Sequence, residues 1–322
     1  MRLIVALAML GAAPGCREAP RPAGAPAPSR APDWPGAPRP VGAPTPDRGR
    51  FVAPTGASLQ YPTRAAVAPD GTVYVSDARA NAVYGYLAGR ATVELQDVPQ
   101  PLGVAVHGTR LYVGSQERRG VEVYDLGTRV YVQDLGAGDL AMPNAIAVAP
   151  DGSEVYVADS RRDRVAVYAP DGRQLGTIGE PGEGPGQLRF PTAVAADAAR
   201  IVVADQGNHR VQVFRRDRRH GLSFGAELTD PGRPLTDADV RGRFTRLQGV
   251  ALAGGRIVVL DAAEALLQVF DGQGAHQGFA GGRALDPPLW LDVQAGPGGT
   301  LILTDATARR LVTTSLELRP AP

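Results

Sequence analysis

From Pro62 to Asp305 short apolar runs alternate with turn residues, and one arrangement recurs six times. Each copy opens with Pro or Leu, passes through a run of small and branched residues, turns, and gives an apolar triplet. The triplets are Val73-Tyr74-Val75, Leu111-Tyr112-Val113, Val155-Tyr156-Val157, Ile201-Val202-Val203, Ile257-Val258-Val259 and Leu301-Ile302-Leu303. Continuous β-branched and aliphatic triplets suit strands covered on both faces. An Asp, once Ser115, closes each second strand (Asp77, Asp159, Asp205, Asp261, Asp305). Six residues on, a third strand alternates with period two. It places Val83, Val121, Val165, Val211, Leu267 and Leu311 at one equivalent position. Three residues later stand Tyr86, Tyr124, Tyr168, Phe214 and Phe270, with Thr314 the exception. The closing residues are spaced 38, 44, 46, 56 and 44 apart, read directly from their positions. A period near 45 containing several short strands predicts the blades of a β-propeller.

Innermost strands converge on the propeller axis, where bulk collides, and a small residue recurs there: Ala65, Gly103, Ala145, Ala193, Gly249. Trp290 takes that place in the sixth copy. Beside these positions Thr63, Asn144, Thr192 and Gln248, with Trp290, are expected to ring one mouth of the central channel and bind a ligand. The last repeat has too little sequence after Ser315 for a fourth strand. An N-terminal strand from Arg50 to Ala53 is therefore expected to complete that blade and close the ring. The connection from Arg215 to Phe244 is enlarged, and long loops on rigid scaffolds often carry recognition.

Ahead of the repeats the pattern changes. Residues 1–15 hold Arg2, an apolar stretch from Leu3 to Ala13 that is too short to span a bilayer, and small residues. Cys16, the single cysteine, follows directly. The segment resembles a bacterial lipoprotein signal, which implies lipidation of Cys16 and attachment to the outer or cytoplasmic membrane, facing the periplasm or the surface. A plain secretory signal cut near Ala13 is the other reading. Residues 16–49 are Pro- and Ala-rich, with ten Pro between Arg17 and Arg50. Such a stretch cannot offset its ordering entropy and is expected to be a disordered tether, reaching about 100 Å at ~3.1 Å per residue.

Composition narrows the chemistry. Formal net charge is +1, and all 34 basic residues are Arg. The loops after the second strands carry Arg79, Arg118, Arg119, Arg161, Arg162, Arg164, Arg210, Arg309 and Arg310. Against them stand Asp77, Glu117, Asp159, Asp163, Asp205, Asp261, Glu264 and Asp305, so no net positive face for nucleic acid is expected. One Cys excludes an internal disulfide and a thiolate cluster. The histidines, His107, His209, His220 and His276, fall in turns or connections, and no cofactor or metal site is expected. The repeated Asp reads as a brace of its own blade, paired locally with Arg164, Arg210 and Arg310, because a residue needed in every blade usually serves the blade.

Residues 179–214, GEPGEGPGQLRFPTAVAADAARIVVADQGNHRVQVF, resemble an NHL repeat, through the triplet Asn208-His209-Arg210 and the lead-in Gly184-Pro185-Gly186-Gln187. The resemblance implies an all-β, six-bladed NHL propeller over residues 50–318, a fold used widely for recognition and less often for catalysis. The function expected is a monomeric, non-catalytic scaffold binding a protein, peptide or glycan at the cell envelope. Two alternatives follow from related propellers: a metal-dependent enzyme of amidating-lyase or lactonase type, with Ca²⁺ or Zn²⁺ on the axis, and a nucleic-acid-binding propeller.

Overall fold

The computed structural model describes residues 48–229, 235–280 and 289–319. The expected signal segment, Cys16 and nearly all of the tether lie outside them. The described chain forms six antiparallel sheets arranged as blades, and each inner strand packs on the inner strands of both neighbours, the first on the sixth. The inner strands are Pro62–Val67, Pro101–His107, Pro143–Val148, Pro191–Ala196, Leu247–Ala253 and Trp290–Ala295. Blades one to five continue outward through three more strands in chain order, each joined to the strand before it by a short turn.

The apolar triplets lie at the middle of second strands with both faces covered, and Val75, Val113, Val157, Val203 and Val259 are fully buried. Blade-to-blade packing supplies the core, which runs as a series of clusters around the ring rather than as one central body. The third-strand rings Tyr124, Tyr168, Phe214 and Phe270 are buried between blades. Opposite each ring the outer strand slips register by a bulge, as between Val213 and Phe214, which bends it over the ring.

Ring closure differs from the expectation. The strand Arg50–Val52 forms, but it pairs antiparallel with Arg90–Gln96 on the outside of the first blade, Phe51 opposite Leu95. Its position is set by what precedes it. Arg48 ion-pairs with Glu122 and Asp134 of blade two, and the Gly49 amide donates to the Tyr124 hydroxyl at 3.0 Å. At the other end Leu318–Arg319 crosses to blade five and pairs with His276–Ala280. The sixth blade therefore has three strands among the described residues, and side chains at the axis join it to the first.

Candidate functional site

Every inner strand carries a bulge just after its first residue, between Pro62 and Arg64, Pro143 and Ala145, or Trp290 and Asp292. The bulge aims the next carbonyl and the following side chain toward the axis. Aligned on that register, the axial side chains are Arg64, Gly103, Ala145, Ala193, Gly249 and Asp292. Four small residues leave a space, and one guanidinium fills it. Crowding there is real, since a Cβ on Gly103 would come within 2.9 Å of Ile146 and 3.1 Å of the Ala145 backbone.

Arg64, 4% exposed, is bonded on every side. Its Nε donates to the Asn144 carbonyl at 3.0 Å and its Nη2 to the Thr192 carbonyl at 2.7 Å. Nη1 donates to the carbonyls of Gln248 and Leu291 at 2.7 and 2.8 Å and to Asp292 Oδ1 at 3.1 Å. One side chain thus reaches blades three, four, five and six. Asp292 Oδ2 accepts from the Ala65 amide at 2.9 Å and from Gln294 Nε2 at 3.1 Å. Burial pushes the Asp292 carboxyl above its ordinary range, and Arg64 pulls against that shift. A buried pair alone scarcely offsets its own desolvation; the surrounding carbonyls make this one sustainable.

Of the residues expected at the channel mouth, Thr63, Asn144, Thr192 and Gln248 do gather at one end of the axis. What they surround is Arg64. Thr63 and Thr192 spend their hydroxyls on the carbonyls of Pro101 and Leu247, and Asn144 Nδ2 donates to Ser160 Oγ. Trp290 is not beside the axis. It stands opposite Asp305, the register of the leading Pro in other blades, and lines an outer cleft with Leu267, Leu303 and Val312. The expected axial residues Ala65 and Trp290 lie one residue after Arg64 and two before Asp292, the residues that the bulged register places there. A signal was present: Arg64 and Asp292 are the only Arg, Asp or Glu residues in the six inner strands.

The closing carboxylates are buried and hold their own loops. Asp77 accepts from the amides of Gln60, Tyr61, Arg79 and Ala80, and Asp261 from those of Thr245, Arg246 and Ala263. Asp205 accepts from the Arg189 amide and from three side chains, Arg210 Nε, Asn208 Nδ2 and Gln212 Nε2, at 2.7 to 2.9 Å. Asp305 accepts from the Ala308 amide and from Arg310 Nε at 3.3 Å. Arg164 differs. It bonds Asp139 at 2.7 Å and stands 3.6 Å from Asp159, which accepts from the amides of Ala141 and Met142. Four residues after each closing Asp or Ser a left-handed residue turns the loop: Asn81, Arg119, Asp163, His209, Ala265 and Arg309, at φ between 51° and 55°. His209 occupies that backbone position, and its ring meets the Phe244 carbonyl.

The arginine run in the long connection folds back on acids. Arg215 and Arg219 pair with Asp217, Arg218 with Glu154, and Arg216 with Glu154 and Asp151. Past Arg64 the channel widens, at its other end, into a 190 Å³ vestibule walled by Ala and Val, with Gln294 its one polar side chain. Among the described residues no three His, Cys, Asp or Glu side chains gather to hold a metal ion. The axial position that Ca²⁺ or Zn²⁺ would take in the metal-dependent alternative is filled by a guanidinium, so these residues do not fit such an ion.

The sequence model of the NHL repeat matches residues 188–214, where Asn208, His209 and Arg210 form the loop just described. The chain is a six-bladed β-propeller that carries an NHL repeat in its fourth blade. No curated protein matches it. Among solved structures it is similar to hydrazine synthase of Kuenenia stuttgartiensis, at 15% identity and a TM-score of 0.58, over 82% of this chain and 97% of that one. A streptogramin B lyase matches at 12% identity and a TM-score of 0.57, over 84% and 87%. Virginiamycin B lyase from Staphylococcus aureus matches at 11% and 0.55, over 84% and 89%. At these identities the likeness is one of fold.

Proposed function

We propose that this propeller is a non-catalytic binding scaffold, exported and tethered to the cell envelope through lipidated Cys16, that engages a protein, peptide or glycan there. The observation carrying the reading is the axis itself. The end where inner-strand residues converge is filled by Arg64 and its acceptors, so the polar groups that would handle a substrate are already bonded to each other. The vestibule beyond is lined by no titratable side chain that could carry a proton. Ion pairing of Arg118, Arg162, Arg210 and Arg310 with acidic neighbours supports a partner other than nucleic acid.

Capture from envelope extract by the tagged full-length protein tests the reading. Saturable recovery of one envelope component supports it, and the absence of any supports dropping it. Cys16→Ser is expected to release the protein from membranes; full retention contradicts the anchor. The lyase names of two fold relatives supply a second reading. Incubation with virginiamycin B, followed by chromatography, decides it: consumption of the depsipeptide makes the protein an enzyme.

A further inference from the structure

The third strand of blade six, Arg310–Ser315, ends its sheet: among the described residues nothing pairs with its outer edge. In the other five blades that edge is covered by a fourth strand. Here the chain turns away after Ser315 to extend blade five, while its N-terminal strand lies on blade one. Both terminal strands of the described chain are committed elsewhere.

The open edge has a cleft on each face. Leu311 and Thr313 line a cavity of 490 Å³ with Leu59, Val73 and Tyr86 of the first blade. Val312 and Thr314 line a second, of 170 Å³, with Leu267 and Trp290. Side chains alternating into two apolar clefts along a free strand edge form the receptor geometry of strand addition, in which main-chain bonds give affinity and pockets give selectivity.

The other blades specify what fits. Opposite the equivalents of Leu311 their outer strands place Leu95, Leu135, Ile178, Phe224 and Ala280. Opposite the ring position they place Ala91, Tyr131, Gln174, His220 and His276. In blade six that ring is Thr314, so the cleft beside Trp290 has room for a ring supplied from outside. Neighbouring strands here are antiparallel, so a ligand strand ends beside Arg309, which lines the larger cleft, and Arg310, whose side chain is 62% exposed. A terminal carboxylate or an acidic residue suits that end.

We propose that an extended segment of a partner protein docks antiparallel on Arg310–Ser315 as the missing outer strand, with an apolar residue opposite Leu311, an aromatic opposite Thr314 and an acid at its C-terminal end. The proposal rests on the scaffold reading for the class of partner, and on nothing about cellular location.

The probe is a synthetic peptide copying residues 130–135, VYVQDL, the outer strand of blade two, with a free C-terminal carboxylate. It is titrated into full-length protein carrying Trp34→Phe, which leaves Trp290 the only tryptophan. The expected result is a saturable shift in Trp290 emission. Affinity falls at least about tenfold, or 1.4 kcal/mol, when alternate peptide amides are N-methylated, and several-fold with Arg309→Glu in the protein at low salt. Equal binding of the N-methylated peptide, or no binding of any peptide at millimolar concentration, overturns the proposal. So does self-association of the free protein that the peptide cannot reverse, which would assign the edge to a second copy. So does binding that appears only after residues 17–47 are removed, which would assign it to this chain's own segment. Envelope capture separates the two readings. Unchanged capture by Arg309→Glu, with the edge also blocked by saturating peptide, removes this site and leaves the scaffold. Peptide binding without any envelope partner does the reverse.

Discussion

Arg64 and Asp292, 228 residues apart in sequence, meet at 3.1 Å on the propeller axis and join the first blade to the last. Propellers must close without leaving a free seam, and a strand shared between the chain ends is one solution. Here the seam is held by a buried ion pair whose cation also bonds the main chain of blades three, four and five. The same contact that closes the ring fills one end of the axis, and the other end stays open as the vestibule.

Asp205 and Asp261 hold equivalent places but different loads. Asp261 accepts from main-chain amides only, whereas Asp205 also satisfies three side chains. Asp205→Ala leaves Arg210 without its counter-ion and should destabilise by about 3–5 kcal/mol. Asp261→Ala should cost about 1–3 kcal/mol. Urea midpoints of the two variants give the comparison, and equal losses would contradict it.

Blade three carries an opportunity that blade four has used. Gln212 Nε2 donates to Asp205 Oδ2, and the residue in the same register of blade three is Ala166. Asp159 Oδ2, Arg164 Nε and the Tyr168 hydroxyl are all buried there without a hydrogen-bond partner. Ala166→Gln should supply one and raise stability by about 1 kcal/mol, read as an upward shift in Tm. A lower Tm would mean that the space is too small for the amide.

Gly49 has no room for a side chain: a Cβ would lie 2.5 Å from the Tyr124 hydroxyl and 2.6 Å from Val98. Gly49→Ala should pry the first strand from blade one at a cost of about 1–3 kcal/mol, and speed proteolysis near Arg50 while the ring stays folded. Unchanged cleavage would show that Arg48 alone holds this end.

Much of the fold was legible because blades repeat. The triplets, the buried carboxylates and the aromatic positions fall where periodicity puts them, since each recurs in five or six copies. Errors came where a single residue breaks the repeat. Inner strands contain a bulge, so aligning them by composition shifted Arg64 out of the axial row and put Trp290 into it. Pairing of the N-terminal strand was not legible for a different reason. Residues 50–53 can add to any open edge, and the choice of blade one is made by Arg48 and Gly49 reaching Glu122 and Tyr124, contacts across more than seventy residues. Thr314 was visible as a break in the aromatic row, but its meaning depends on the pairing of its strand, which no fourth strand covers among the described residues.

The functional reading depends most on the axis being a latch, and the pH dependence of Arg64→Met stability tests that. Burial already raises the Asp292 carboxyl, and loss of Arg64 removes the charge that opposes the rise. In the variant the folded state then holds its proton more tightly than the unfolded one, whose carboxyl titrates near its ordinary value of about 3.9. Stability is therefore retained below that value and lost as pH rises through the raised one. Thermal unfolding from pH 4 to 8 should show a deficit against wild type that is smallest at the acid end and grows to about 3–5 kcal/mol at neutral pH. A variant as stable as wild type across that range would contradict the latch and reopen the axis as a binding site.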